Sequence, residues 1–335
     1  LQPADVITIR ARLIERHVPA AHQTLVAKHH FFQQPRHRPA VEQQVDSGRP
    51  SSVEGERSDR GVVLTTDNVA WLEVGPIDGA APRELTIDDQ ALGTHDFSTK
   101  QRFSRSVAGI WDSTTAEIPP GQKQHGLSGP FGDLFLAPVV IVYGDSGNAA
   151  SGHHNATMAH ELARFFRNTN GGVHRGGIPG DTEVRIPVVS DKQVRKLREG
   201  AVDKLADEDD GDIRVDRALL QRANLFLIGD FASNSIMATF SNSLPLKIGE
   251  DALSLAGKEY AGSNLACLAV FPHPDGQRYV ALLVGQTPDA VCGASHLGLQ
   301  LVPDFLVFDA HRVVDWGFWD NQWRHPTPGR VVVGP

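Results

Sequence analysis

The sequence contains little that could cross-link the chain or anchor it in a membrane. Cysteine occurs only at Cys267 and Cys292 in 335 residues, which excludes a fold held together by several disulfides. Cys267 lies in the apolar run LACLAVF, where we expect a buried, unreactive thiol. No apolar run approaches the ~20 residues that a membrane helix needs, and no signal-peptide pattern is present. We therefore expect a soluble protein, and the sequence leaves its compartment open.

Positive charge is also scarce. The 32 Lys and Arg are outnumbered by 40 Asp and Glu, which gives a net charge of −8. Nucleic-acid binding requires a positive field, so we expect no nucleic-acid partner, and we expect no membrane partner either. A content of 40% hydrophobic and 21% charged residues is typical of a soluble globular protein. The expected partner is a small-molecule substrate, and the oligomeric state stays open.

The composition divides the chain into four segments. Residues 1–60 are expected to form an irregular segment and linker, and 61–128 a β-rich module. Residues 129–323 should form an α/β domain, and 324–335 a tail. The first segment begins with Leu rather than Met, which we take as a sign of processing, excision or an unusual start codon. It is rich in histidine but lacks the spacing of a structural metal site (His17, His22, His29, His30 and His37).

Strand and helix patterns alternate in the second half of the chain. Apolar runs at 138–143, 183–189 and 224–229 predict strands, and the segments 149–167 and 191–206 predict helices. Strands separated by helices are typical of a parallel sheet covered on both faces. We therefore predict an α/β fold: a mostly parallel open sheet with helices on both faces, preceded by a smaller β-rich module.

The candidate site lies where two predicted strands end. The first is followed by Gly144-Asp145-Ser146-Gly147, a turn whose amides could hold an oxyanion. The second is followed by the turn at 229–234. Parallel strands end at one edge of a sheet, which is where open sheets bind ligands. We assign catalysis to Ser146, Asp145, Asp230 and His273, and substrate binding to Gly144, Gly147, Ser233 and Asn234.

The inclusion of His273 depends on strand direction. The run LACLAVF (265–271) is predicted to form a hairpin with RYVALLVG (278–285). If the first of these strands is parallel to the others, His273 lies at the edge with Ser146. Gln286 and Thr287 then lie at the opposite edge.

Simpler explanations exist for each of these patterns. Glycine permits a tight turn and Asp or Ser caps a helix, so the Gly-Asp turns need no catalysis. His153, His160 and Glu161 could form a base or metal pair, or simply a solvated helix face. The acidic loop 207–212 resembles a Ca²⁺ site in composition but lacks the EF-hand spacing. No cofactor is certain; a divalent metal such as Ca²⁺ stays open, and its ligands are unknown.

Several motifs in order resemble a known family. These are GPFGDLFL, LFLIGDFASN, LPLKI, FPHPDGQRYV, VGQT, DFLVFD and GFWDNQW, with TTDNVAWLEV upstream. Their order and spacing are similar to the C-terminal α/β region of large bacterial hydrolases of the prolyl-oligopeptidase type, over about residues 61–323. In that family this region does not carry the nucleophile elbow, and this chain too lacks G-x-S-x-G. The resemblance implies association with hydrolase function without a classical triad in this region.

Two functional hypotheses follow. The first is a hydrolase of ester or lactone bonds, in which Ser146 or a metal-bound water attacks and a histidine acts as base. The second is a non-catalytic accessory or interaction module of a hydrolase.

Overall fold

The computed structural model describes residues 7–11, 39–49, 51–58, 61–77, 82–170, 186–207, 213–296 and 302–326. The chain divides into two compact units, Leu1–Ser128 and Gly129–Pro335. Within the described ranges, no helix is both long enough and apolar enough to cross a membrane.

The first unit is built from short strands. In chain order they are β1 (Ile7–Ala11), β2 (Ala40–Gln44), β3 (Ser52–Arg57), β4 (Gly61–Asp67), β5 (Val69–Val74), β6 (Arg83–Ile87), β7 (Gln90–His95), β8 (Gln101–Arg105) and β9 (Trp111–Ser113). They form two sheets, in the orders β1-β3-β4-β6-β7 and β2-β5-β8-β9. Every pair is antiparallel except β4 with β6.

The core of this unit contains the alternating apolar residues of both sheets. Leu72, Leu85, Phe103 and Trp111 are at most 1% exposed. Strands β4 and β5 follow each other closely along the chain but belong to different sheets. Strands β2 and β3 also show that the segment expected to be irregular contributes to this unit.

The second unit contains strands and short helices. They are β10 (Val139–Tyr143), α1 (Ala149–Asn170), β11 (Val188–Ser190), α2 (Asp191–Glu199), β12 (Lys204–Ala206), β13 (Arg214–Asp216), α3 (Arg217–Arg222), β14 (Asn224–Ile228), α4 (Ser235–Ala238), β15 (Leu246–Ile248), β16 (Ala252–Leu255), β17 (Lys258–Ala261), β18 (Ala266–Pro272), β19 (Tyr279–Gly285), α5 (Pro288–Cys292), β20 (Phe305–Phe308) and β21 (Val313–Gly317). Two 3₁₀ helices span Phe131–Leu136 and Gly293–His296.

The central sheet of this unit has seven strands within the described residues, in the order β11-β10-β14-β19-β18-β20-β21. The first four are parallel to one another. The last three alternate in direction. The predicted parallel pairing of 138–143 with 224–229 is confirmed, since Val139 lies opposite Asn224 and Tyr143 opposite Ile228. Strands β10, β14 and β19 are buried at every position, as expected inside a covered sheet.

The predicted fold class is nevertheless wrong. Strands make up 39% of the structure and helices 20%, and the sheets are mostly antiparallel or mixed rather than one helix-flanked parallel sheet. Four of the seven strands of the central sheet are parallel, and the pairings of β18, β20 and β21 are antiparallel. Smaller antiparallel sheets, β12-β13 and β15-β16-β17, accompany it.

The boundaries of α2 illustrate how the local sequence limits the helices. Ser190 is its N-cap and forms a reciprocal capping box with Gln193. The helix ends at Gly200, whose φ of +82° places it in the left-handed region. The helix predicted over 191–206 therefore stops at Glu199.

Candidate functional site

The carboxyl ends of the parallel strands form the edge that the sequence predicts as the site. Tyr143, the last residue of β10, lies opposite Ser190 of β11 and Ile228 of β14. The turns that follow these strands therefore emerge side by side. Seven of the eight predicted site residues lie on the β10 and β14 turns: Gly144, Asp145, Ser146, Gly147, Asp230, Ser233 and Asn234.

The β10 and β14 turns contact each other through their backbones. The Gly144 N–H donates to Ile228 O at 2.9 Å, and the Ser146 N–H donates to Ser233 O at 2.8 Å. Gly144 is required here because a Cβ at this position would lie 2.7 Å from the backbone C and O of Ser233. The structure thus brings the two predicted turns together by main-chain contact.

Asp191 is the central side chain of this edge, although it lies outside the predicted set of site residues. It follows β11 as the first residue of α2 and is completely buried. Its Oδ2 accepts from Ser146 Oγ at 2.5 Å, from Ser235 Oγ at 2.6 Å and from the Ser235 N–H at 2.7 Å. Its Oδ1 accepts from the Asp145 N–H at 2.7 Å. One carboxylate therefore joins the ends of three strands.

These contacts set the charge state of Asp191. Burial opposes ionisation, but the hydrogen bonds from Ser146, Ser235 and the Asp145 N–H outweigh it and hold the pKa of the carboxyl below its ordinary value. Asp191 is thus a carboxylate at neutral pH. The neighbouring Asp145 is more exposed and forms an ion pair with Lys192 Nζ at 3.1 Å.

The polar residues of the β14 turn stabilise the turn itself. Asp230 Oδ1 accepts from the N–H groups of Ala232 and Ser233. Asn234 caps α4 by accepting from the N–H groups of the next helix residues, and its Nδ2 donates to Val142 O at 3.0 Å. These capping roles are the simpler explanation given above for the Gly-Asp turns.

Asn155, on α1, connects the two turns from the helix side. Its Nδ2 donates to Gly144 O at 2.9 Å and lies 3.4 Å from Ser233 Oγ. It is 6% exposed. Like Asp191, it is a buried polar group that fixes the edge and lies outside the predicted set.

The predicted placement of His273 with Ser146 is wrong. Strand β18 is antiparallel to β19, which is parallel to β14, so β18 ends where β14 begins. His273 lies beside that opposite edge, in a cluster with Arg278, which donates to the Ala223 carbonyl just before β14. The same reversal places Gln286 and Thr287, which follow β19, at the carboxyl edge rather than opposite it.

The other histidines considered for catalysis lie on α1. Residues of α1, α5 and the following 3₁₀ helix line a cavity of about 290 Å³: His153, His154, Thr157, Met158, Glu161, Cys292 and Ser295. His160 instead approaches Tyr143, with ring centroids 6.4 Å apart. Among the described residues, no histidine forms a hydrogen bond with Ser146 or Asp191.

The structure bears only partly on the metal hypotheses. In the part of the chain that it describes, no three His, Cys, Asp or Glu side chains are grouped so that they could hold an ion. Most of the acidic loop, 208–212, and the histidines of the first 38 residues lie outside the described residues. Asp207, at the start of the loop, is buried and accepts from the Val188 N–H at 2.8 Å.

Comparison with known proteins adds no family assignment. No protein-family model matches the chain, and no curated protein matches it.

Proposed function

We propose that the chain is a non-catalytic accessory and interaction module of a hydrolase of the prolyl-oligopeptidase type. The observation that carries this proposal is the hydrogen bond from Ser146 Oγ to Asp191. A serine nucleophile needs a base whose pKa lies near the working pH. The lowered pKa of Asp191 makes its carboxylate a weak base, so the contact orients the serine without activating it.

The backbone donors of the edge support the same conclusion. An oxyanion hole needs N–H groups directed at an empty position where charge develops. Here the Asp145 and Ser235 N–H groups donate to Asp191, and the Ser146 N–H donates to Ser233 O. These three N–H groups are thus occupied by protein acceptors.

The resemblance to the C-terminal region of these hydrolases supports the accessory role. This chain lacks the G-x-S-x-G pattern of a nucleophile elbow. A capped, hydrogen-bonded edge agrees with a module that associates with a catalytic domain and does not itself perform the chemistry.

One observation favours the alternative, a hydrolase of ester or lactone bonds. Ser146 is only partly buried, so a small ester could approach its hydroxyl at the carboxyl edge of the sheet. Catalysis would then require the Ser146–Asp191 bond to open and another base to be supplied.

A serine-directed fluorophosphonate probe separates these hypotheses. We expect no labelling of the purified chain and no turnover of p-nitrophenyl esters or lactones, with or without EDTA. Ser146→Ala should leave this baseline unchanged and lower the stability by about 1–2 kcal/mol, because Asp191 loses one charge-assisted hydrogen bond. Labelling at Ser146, or ester turnover abolished by Ser146→Ala, would refute the non-catalytic assignment.

The accessory role has its own measurement. The chain should form a complex with a prolyl-oligopeptidase-type catalytic domain in sedimentation velocity, or change that domain's turnover of a blocked Gly-Pro-p-nitroanilide peptide. If neither occurs, the accessory role is wrong, whatever the probe shows.

A further inference from the structure

The turn between β18 and β19 contains an interlocked set of charged side chains far from the carboxyl edge. The turn cluster consists of His273, Asp275 and Arg278. Asp275 Oδ2 lies 2.9 Å from His273 Nδ1 and 2.8 Å from Arg278 Nε. Arg278 NH2 lies 3.0 Å from His273 Nε2. Each member therefore contacts the other two.

Arg278 also connects this cluster to a helix. Its NH1 donates to Leu220 O at 2.5 Å and to Ala223 O at 2.8 Å. These carbonyls belong to the last turn of α3 and its C-cap. A cation at a helix C-terminus satisfies carbonyls that have no partner within the helix. The position of Arg278 therefore helps to hold α3 against the start of β14.

The hydrogen bonds specify one form of the imidazole. A guanidinium can only donate, so His273 Nε2 must accept from Arg278. The proton of the neutral ring then resides on Nδ1, which donates to Asp275 Oδ2. The Asp275 N–H also approaches Nδ1, at 3.2 Å, but a ring accepting there would direct its Nε2 proton at Arg278. Only the neutral Nδ1–H tautomer satisfies the cluster.

The surroundings of the ring disfavour a second positive charge. Burial lowers the pKa of His273, and Arg278 and Arg198 lower it further, whereas Asp275 acts in the opposite direction. Phe240 packs edge-on against the imidazole, with centroids 5.2 Å apart. Nothing in this set except Asp275 would compensate a protonated ring.

We propose that the turn cluster fixes the end of α3 at neutral pH and releases it in acid. In the bound form His273 accepts from Arg278, and in the released form the imidazole has separated from the guanidinium. A proton taken from solvent occupies the Nε2 lone pair, which ends the hydrogen bond from Arg278. Two N–H groups then face each other, and the imidazole must separate from the guanidinium. Arg278 loses one of the contacts that orient it, and its hydrogen bonds to the Leu220 and Ala223 carbonyls weaken.

The sign of the pH dependence follows from the neutral ring. In the released form His273 has an ordinary histidine pKa near 6.5, which lies above its pKa in the bound form. The cluster therefore stabilises α3 fully above about pH 6.5, and this stabilisation weakens as the pH falls toward the lowered pKa of His273 in the bound form. One pH unit below 6.5, the population of the released form should rise by up to about tenfold.

Amide hydrogen exchange in α3 measures this release. In the complete chain, the protection of the 219–223 amides, corrected for intrinsic rates, should fall by up to about tenfold between pH 7.5 and 5.5. His273→Gln, which does not titrate, should remove this dependence. The matched control, His311→Gln, changes an exposed histidine outside the cluster and should retain it. Equal pH dependence in wild type and His273→Gln would overturn the proposal.

A second measurement requires no substitution. The ring proton of His273, followed by NMR through a pH titration of the wild-type chain, should titrate below pH 6.5. Its transition should coincide with the loss of α3 protection. Titration at or above the ordinary value, or a transition separate from the exchange change, would also overturn the proposal.

Discussion

Asp191 can be tested by a substitution that preserves its shape. In Asp191→Asn, the remaining oxygen can still accept from the Asp145 N–H. The new amide NH2 would occupy the position of Oδ2, which accepts from both the hydroxyl and the N–H of Ser235 and from Ser146. A change of one atom type therefore removes the acceptor of three donors, and it leaves a donor–donor contact at the Ser235 N–H.

The loss of stability depends on whether each of these donors can form a new hydrogen bond in the variant. The two serine hydroxyls can rotate and accept from the new amide, so their bonds are partly recovered. The Ser235 N–H is fixed by the start of α4 and loses its partner. Hydrogen bonds to a charged group contribute about 1.5–3 kcal/mol each, and an unsatisfied buried donor costs about 1–3 kcal/mol. Relief of the buried charge offsets part of this loss. We expect Asp191→Asn to lower the stability by about 2–4 kcal/mol.

Asp145→Asn is the matched control. It makes the same chemical change one strand away, where the carboxylate is partly exposed and paired with Lys192. Exposed pairs contribute about 0–1 kcal/mol, so this variant should change the stability by less than about 1 kcal/mol.

Hydrogen exchange is the suitable assay because the chain has two units, which need not unfold together. Peptides covering 143–148 and 229–237 report the edge directly. A loss of about 3 kcal/mol corresponds to roughly a hundredfold faster exchange. If Asp191→Asn accelerates exchange no more than Asp145→Asn does, Asp191 does not hold the edge together.

The lowered pKa of Asp191 adds a second readout. The contribution of Asp191 to stability is present above its unfolded pKa near 3.9 and is lost as the pH falls through its folded pKa. Asp191→Asn should lack this acid-dependent loss.

Two further changes probe the packing of the second unit. Gly144→Ala should destabilise it by more than about 2 kcal/mol, because the added Cβ would meet the Ser233 backbone. The control Gly132→Ala adds a Cβ with no atom within 4 Å and should be nearly neutral. Equal urea midpoints for the two variants would contradict the close approach of the turns. Burial and Lys258 lower the pKa of His325, so its contribution to stability is full above about pH 6.5 and declines as the pH falls toward the folded value. His325→Gln should therefore flatten the stability profile between about pH 5 and 6.5, and an unchanged slope in thermal melts would contradict this.

The sequence predicted the parallel half of the central sheet because local chemistry specifies it. Val139–Tyr143 and Asn224–Ile228 are continuous apolar runs that end on glycine and lead to capped helices. That pattern fits a strand that is buried on both faces and is connected through helices to other parallel strands.

The direction of the hairpin could not be obtained in the same way. Strands β18 and β19 are both apolar and almost entirely buried, so burial does not tell which of them is parallel to β14. The decisive contacts are between β14 and β19, more than 50 residues apart, with Leu225 opposite Val280. Local propensity carries no information about such a pairing. The error in placing His273 and Gln286 followed from this single choice.

The sequence pattern that points to Ser146 also points to Asp191. A predicted strand ends just before it, and the rule that parallel strands end at one edge applies to β11 as much as to β10. What concealed Asp191 was its second role, since an acidic residue in the first turn of a helix is ordinary helix chemistry. The residue types of a catalytic site and of a capped edge are the same. The accessory role proposed above rests on the hydrogen bonds instead: the Ser146 hydroxyl and the Asp145, Ser146 and Ser235 N–H groups all donate to acceptors within the protein.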